Sequence, residues 1–406
     1  ASHAATRAAA FAVACAASAH AAAADTEAPG LAELMSQQGL PPESGAKRAD
    51  YYAAAKREVE RQNSKKDALW TAGLSFFAVL DEEETKQRFG YERAASRGAA
   101  EGAQPRESGG HHRGPNPSDW DWRESMPTKV TPVKDQGSCK SCWAFAATAA
   151  IESAVAIASG HLFELSPQQV TSCTHNPNQC GGTGGCMGAT AQLAFNYTIN
   201  ANGLESIWKY PYTSGIWRTT GDCRRTRKPL GSISNFVEVR PNDARALMVA
   251  VLESPVTVTV DAANWMWYSS GVFDGCDVKR VVVNHAVVLD GYGIIDRSGV
   301  KYWLVRNSWG VSWGENGYIR LKRYDEGKEP CGTDSNAGFS CGTPPPKGIR
   351  VCGMCGILGD SVSPQGAHVV SARLPLDDPS DKPAMLFEQG ARPAAGGLAG
   401  LAAETP

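Results

Sequence analysis

The chain has 406 residues, 40 of them basic and 42 acidic, and carries a formal net charge of −2. That length is enough for two or three domains and a sizeable core. With no basic block beyond short clusters such as Arg224-Arg-Thr-Arg-Lys228, there is no electrostatic case for a nucleic-acid partner.

In chain order, residues 1–24 place Arg7 ahead of an alanine-rich apolar run that ends in small residues, the pattern of a secretory signal. The run is too short and too rich in alanine to span a membrane stably, and no later run of eighteen apolar residues exists. No membrane association is therefore expected after processing. Residues 97–117 are rich in Gly, Pro, Ser and His, a linker composition and a site for proteolytic activation. From Ser141 to Ala158 nearly every residue is alanine or large and apolar on all sides, which predicts a helix buried all round. Helical character continues to about Arg227, interrupted by the glycine-heavy loop between Cys180 and Cys186.

Beyond Gly231 strands dominate: Val256-Thr-Val-Thr-Val260, the run from His285, the run from Tyr302, and Tyr318-Ile-Arg-Leu-Lys322. Residues 326–351, rich in Cys and Pro, read as a disulfide-stapled surface loop, and residues 366–406 as a flexible tail. Of the 12 cysteines, Cys15 lies in the signal-like segment. The remaining eleven fit an oxidising compartment, with one reactive thiol and five bridges.

The reactive thiol is assigned from the stretch Gln136-Gly-Ser-Cys-Lys-Ser-Cys-Trp-Ala-Phe145. Cys142 falls in the first turn of the buried helix, where unpaired N–H groups and the positive end of the dipole favour a thiolate. A base and an orienting amide follow far downstream. Asn284-His285-Ala-Val-Val-Leu-Asp-Gly-Tyr-Gly293 puts a histidine at the start of a β-branched strand. Tyr302-Trp-Leu-Val-Arg-Asn307-Ser-Trp-Gly places an asparagine at the end of another.

These segments resemble the papain-like cysteine peptidases of the cathepsin L type. His285 lies within the downstream interval of roughly 130 to 150 residues usual for the family, and Asn307 slightly beyond it. Lys140 stands where the family has glycine. The resemblance implies an α+β, two-lobed papain-like fold: a helical left lobe, a β-barrel-like right lobe, a cleft between them, and a helical N-terminal propeptide. It implies an inactive precursor with a signal peptide at 1–24, an inhibitory propeptide and linker at 25–117, a peptidase domain at 118–365 and a tail at 366–406. Arg48, Tyr52, Val59 and Asn63 fall at the spacing of the family's propeptide helix, with Ala55 where an Asn is usual. Acid is expected to weaken propeptide docking by protonating carboxylates such as those of residues 81–84.

By the same resemblance Cys142 is the nucleophile, existing largely as a thiolate paired with protonated His285. Asn307 holds the imidazole, Trp309 shields that hydrogen bond, and Gln136 supplies its side-chain amide to an oxyanion hole beside the Cys142 backbone N–H. Ala191, Thr259, Ala286 and Asp360 line the main specificity pocket, and Ala189 bonds substrate through its backbone. Asp360 either turns its carboxylate into that pocket, accepting Arg or Lys, or points to solvent. The implied bridges are Cys139 with Cys186, Cys173 with Cys223, and Cys276 with Cys355; the pairing among Cys180, Cys331, Cys341 and Cys352 stays open.

Expected partners are peptide and protein substrates and the chain's own propeptide, with no cofactor, no metal and a monomeric state. The expected location is the secretory pathway, then lysosome, vacuole or the extracellular space. Three rivals remain. Cys139-x-x-Cys142 and Cys352-x-x-Cys355 have zinc-like spacing. A thioredoxin-like redox protein could be built on the first pair. The same fold could also be catalytically inactive and serve as a binding protein.

Overall fold

The computed structural model describes residues 28–91, 115–225, 227–334 and 348–370. The signal-like segment, most of the linker, Cys341 and most of the tail lie outside the described residues.

The helix predicted around Cys142 runs Cys142–Ser159 and ends at Gly160, whose φ of +78° suits only glycine comfortably. It is apolar and long enough to cross a membrane by composition, but 78% of it is buried inside the protein. It packs on helices Pro167–Cys173 and Ala191–Asn200 on one side and on the strand His285–Ile294 on the other. Ala147, Ala150, Ile151, Val155, Leu165, Val170 and Phe195 form the core of this helical lobe.

The second lobe is built on a nine-stranded sheet. Its order is Trp70–Ala72, Tyr268–Phe273, Tyr318–Lys322, Lys301–Arg306, His285–Ile294, Val256–Val260, Ser361–Gln365 and Asn235–Glu238, with Trp120–Asp121 pairing beside the His285 strand. Among the described residues the sheet does not close on itself, so the lobe is barrel-like without being a closed barrel. Its last strand is covered by helix Ala191–Asn200, with the Phe195 and Phe236 rings 5.6 Å apart, and so never meets the first. The His285 strand is buried on both faces, as its near-continuous apolar run requires.

The N-terminal segment forms its own small core from Leu34, Met35, Ala55, Ala78 and Val79 around helix Gly45–Asn63. Asn63 brackets Ala72, donating to its carbonyl at 3.0 Å and accepting from its N–H at 2.8 Å. This fixes Trp70–Ala72 as an added antiparallel edge strand on Tyr268–Phe273. Asp81 and Glu84 form a reciprocal capping box on the next helix, and Glu84 pairs with buried Arg48.

The acidic cluster at 81–84 therefore holds the segment's own fold rather than its contact with the rest of the protein, contrary to the expectation above. The Glu84 backbone N–H holds the Asp81 carboxyl below the usual carboxylate range. Burial is the largest single influence on Glu84 and pushes it up, but Arg48 and the Asp81 backbone N–H together outweigh it and the net shift is downward. Stability from both groups is present above the ordinary carboxylate pKa and lost as pH falls through these depressed values.

The described disulfides are Cys139–Cys186, Cys173–Cys223, Cys276–Cys355 and Cys331–Cys352. The last of these, left open by the sequence, ties the paired strands Cys331–Asp334 and Ile349–Cys352. With Cys139, Cys352 and Cys355 oxidised, neither C-x-x-C pair has two thiolates to offer zinc or to cycle as a dithiol. The folded domain also reaches past 365, because His368–Val369 pairs with Gly231–Ser232; the expected tail begins later than residue 366.

Candidate active site

Cys142 is the first residue of its helix and the one free cysteine among the described residues. His285 opens its strand, directly paired with Val260 of the neighbouring one. Asn307 follows the strand Lys301–Arg306, which pairs with the other side of the His285 strand. The helical lobe thus brings the thiol and the sheet brings the imidazole and the amide. Cys142 Sγ accepts from the Ala286 N–H at 3.5 Å, so the sulfur sits against the residue next to His285.

His285 Nε2 lies 2.8 Å from Asn307 Oδ1, which also accepts the Ser308 N–H at 2.8 Å. An oxygen accepting a backbone N–H fixes the amide orientation, so Nε2 carries the proton. Nδ1 is left as a lone pair with no partner among the described residues. The imidazole stacks on Trp309 with centroids 4.9 Å apart and meets Trp265 edge-on at 6.3 Å.

Gln136 reaches this site through the bridge between Asp135 and Trp309 and a backbone bond from its N–H to the Ser308 carbonyl. Its side-chain oxygen accepts the Ser308 hydroxyl at 2.7 Å, which aims the amide nitrogen. That nitrogen donates to the Cys139 carbonyl at 3.0 Å and to the Arg88 carbonyl at 3.1 Å.

Arg88 belongs to a four-residue plug that the sequence reading missed. Phe89 stands edge-on to His285 and to Trp309 at 6.1 and 5.9 Å. The Gly90 backbone N–H lies on the Cys142 side of the plug and, with that of Ala286, pulls against the rise of the thiol. A Cβ on Gly90 would lie 2.1 Å from the Lys140 carbonyl oxygen; only glycine allows this approach. Tyr91 is buried with Ala189, Ala191 and Ala286, and its hydroxyl donates to the Asp360 carboxylate. Gln192 donates to the other Asp360 oxygen at 3.2 Å, and Thr259 holds the Asp360 carbonyl at 3.1 Å through its hydroxyl. The Asp360 carboxylate thus faces the space Tyr91 fills, not solvent. Residues 87–91 carry no motif that could have marked them; only Arg88, Phe89 and Tyr91 as large groups around a glycine hinted at a plug.

Under this plug Cys142, His285, Gln136 and Trp309 are wholly buried. Burial pushes the Cys142 thiol up to about 11, despite the surrounding N–H donors, and pushes His285 down to about 4 against the pull of Asn307. The covered site therefore holds a neutral thiol and a neutral imidazole; the expected thiolate concerns the uncovered site. Desolvation outweighs the helix dipole, which is worth only about 0.3 to 2 kcal/mol.

Residues 116–340 match the family described as papain family cysteine protease, more than half of the chain. The chain belongs to this family. Pro-cathepsin H of Bos taurus is 34% identical over 297 residues, covering 72% of this chain and 83% of that protein. Cysteine protease 1 of Oryza sativa is 38% identical over 273 residues, although the alignment spans only 52% of its length. Among solved structures, a recombinant stem bromelain precursor superposes with a TM-score of 0.63 at 31% identity, covering 82% of this chain and 97% of its own. A ragweed pollen cysteine protease in its proform, Amb a 11, gives 0.63 at 28% identity, covering 82% of this chain and 92% of its own. These structures share the papain-like α+β fold, and the segment lying across the cleft here matches a precursor form. The protein is a cysteine protease of this family in its zymogen form.

Proposed function

We propose that this zymogen matures to an endopeptidase in which Cys142, His285, Asn307, Gln136 and Trp309 carry the reaction. The observation that carries the reading is the unpartnered Nδ1 lone pair of His285, with Nε2–H engaged by Asn307, beside the free thiol. In this reading Nδ1 takes the Cys142 proton and Sγ attacks the scissile carbonyl carbon. The resulting oxyanion is met by the Gln136 amide and the Cys142 backbone N–H. Protonated Nδ1 then gives its proton to the departing amine, leaving a thioester. Water attacks that thioester as Nδ1 takes its proton, and the carboxylic product and the thiol are released. Asn307 fixes the tautomer and Trp309 keeps water from the Nε2 bond.

Residues 25–117 serve as propeptide and linker, 118–370 as the protease, and release of the plug exposes the thiol. Disulfide bonding supports the secretory pathway, with lysosome, vacuole or extracellular space as destination. The alternative, an inactive binding protein, has no observation in its favour, since thiol, base and amide are all present and adjacent. The test is active-site titration of the matured enzyme with a thiol-alkylating epoxide. One equivalent on Cys142 with complete loss of peptidase activity is expected; full activity after Cys142 is modified would sink the assignment.

The pocket behind Ala189, Ala191, Thr259 and Ala286 selects the substrate residue two before the scissile bond, with Asp360 as its acidic floor. Tyr91 supports this by occupying that space with a donor on Asp360. Matured enzyme should therefore prefer Arg over Leu at that position, and Asp360→Ala should lower the Arg-to-Leu ratio of kcat/KM about tenfold, the worth of a charged hydrogen bond. An unchanged ratio would remove Asp360 from the pocket.

A further inference from the structure

The seam between the helix that carries Cys142 and the strands that carry His285 and Asn307 holds charged groups the reaction itself does not use. Arg306 is the residue before Asn307 and is 4% exposed. Its Nη2 donates to Asp290 Oδ1 at 3.1 Å, and its Nε lies 3.0 Å from the other oxygen. Asp290 is fully buried on the His285 strand, at the point where the pairing register shifts between Leu289 and Gly291. A bulge there inserts one residue without a partner and re-aims its side chain. Tyr318 donates to the second Asp290 oxygen at 3.0 Å.

On its other side Arg306 Nη1 donates to the Thr131 carbonyl at 2.9 Å and contacts its hydroxyl at 3.2 Å. The Thr131 hydroxyl donates to Glu152 at 2.5 Å, and Lys134 reaches the same carboxylate at 3.0 Å. Glu152 lies on the Cys142 helix and is fully buried. One polar chain thus runs from the nucleophile's helix to the base's strand and ends one residue from Asn307.

Apolar packing alone does not fill this seam. A cavity of about 20 Å³, room for about one water, lies between Phe145 and Ala146 of the helix and Ala286, Arg306 and Asn307 of the sheet. Buried ionic groups are costly, and their best-attested use is to fix a register rather than to add stability.

We infer that Arg306, clamped by Asp290 on the bulge and by Thr131 against Glu152, is a positioning residue that sets the approach of the His285–Asn307 pair to Cys142. This rests on the catalytic roles proposed above. Matured enzyme is tested, and the readout is the pH profile of Cys142 alkylation by iodoacetamide together with kcat and KM.

Arg306→Met should lower kcat about tenfold to a hundredfold, the cost of a small misplacement of reacting groups, with KM little changed. It should also move the acid limb of the alkylation profile to higher pH, because a poorly placed imidazole holds the thiolate less well. Arg306→Lys, which keeps the charge on Asp290 but loses one contact to Thr131, should recover part of both effects. Phe236→Ala, a buried change on Asn235–Glu238, at the end of the sheet with three strands between it and the strand of Arg306, is the stability control and should lower the melting temperature without moving the profile. Should neither Arg306 variant fold, the isosteric Asp290→Asn decides in the same assay, with the same shift expected. A profile superimposable on the parent's in the variants that fold would overturn the inference while leaving Cys142 as nucleophile. Retained activity in Cys142→Ala would instead sink the catalytic reading itself.

Discussion

Iodoacetamide should alkylate Cys142 in the intact zymogen about four orders of magnitude more slowly than in the matured enzyme near pH 6.5, since only the thiolate reacts. The plug holds the thiol at about 11 and the imidazole at about 4, so between those values both groups are neutral. Removing Phe89 and Gly90 opens the sulfur and the imidazole to water, and the proton passes from Sγ to Nδ1. The zymogen rate should then rise steadily up to about pH 11, while the matured enzyme reacts over a wide plateau from mild acid upward. Mass spectrometry of the labelled peptide measures both profiles. Equal rates at pH 6.5 would mean that the plug does not desolvate the thiol.

The same shift sets the effect of acid. Opening moves one proton from Sγ to Nδ1 with no net uptake across the plateau, whereas the covered His285, lowered by burial, resists a second proton down to about 4; closure is therefore lost only as pH falls through the acid limb of the uncovered pair, where its thiolate takes up a proton. Acid thus favours the uncovered site through a group inside the cleft. The capping carboxylates of Asp81 and Glu84 act at lower pH and only on the segment's own fold.

Arg88→Ala should let the intact zymogen hydrolyse a small peptide substrate about a hundredfold faster than the parent zymogen, before any cleavage of its own chain. Arg88 is 2% exposed, donates to Asp135 at 2.8 Å and to Gln38 at 2.8 Å, and lies 4.4 Å above the Phe76 ring. Asp135 belongs to the loop that places Gln136, so this pair ties the plug to the Gln136 side of the cleft. Removing one partner of a buried pair costs about 3 to 5 kcal/mol. The Asp135 side chain is 44% exposed and can turn to water, which places this case at the low end. Asp135→Asn, which still accepts from Arg88, should open the site less. The measurement is the initial rate in a fluorogenic assay, with the intact chain verified by electrophoresis. A silent Arg88→Ala zymogen would mean that Phe77 and Phe89 on Trp309 and Tyr91 in its pocket close the cleft by themselves.

Cys142, His285 and Asn307 could be read from the chain because each sits in a local pattern: a thiol opening an all-apolar helix, a histidine opening a β-branched run, an asparagine closing another. Gln136 and Trp309 came with the same stretches. Local patterns also carried the division into a helical and a strand-rich half, since hydrophobic periodicity is a property of neighbours in sequence. The plug from Arg88 to Tyr91 had no such pattern. Its meaning lies in contacts with Gln136, Cys142 and Asp360, between 48 and 269 positions away for its hydrogen-bonded ends.

Charge state was the other matter that the sequence could not decide. A helix N-terminus predicts a thiolate from local dipoles, but the pKa of Cys142 depends on how much water reaches it, and that depends on a segment about fifty residues upstream. Asp290 and Arg306 were likewise ordinary strand residues until a bulge turned one toward the other. Residue identity and short-range spacing determined the chemistry this chain can perform. Burial, which only the closed tertiary structure creates, decided that in this form the chemistry is held off.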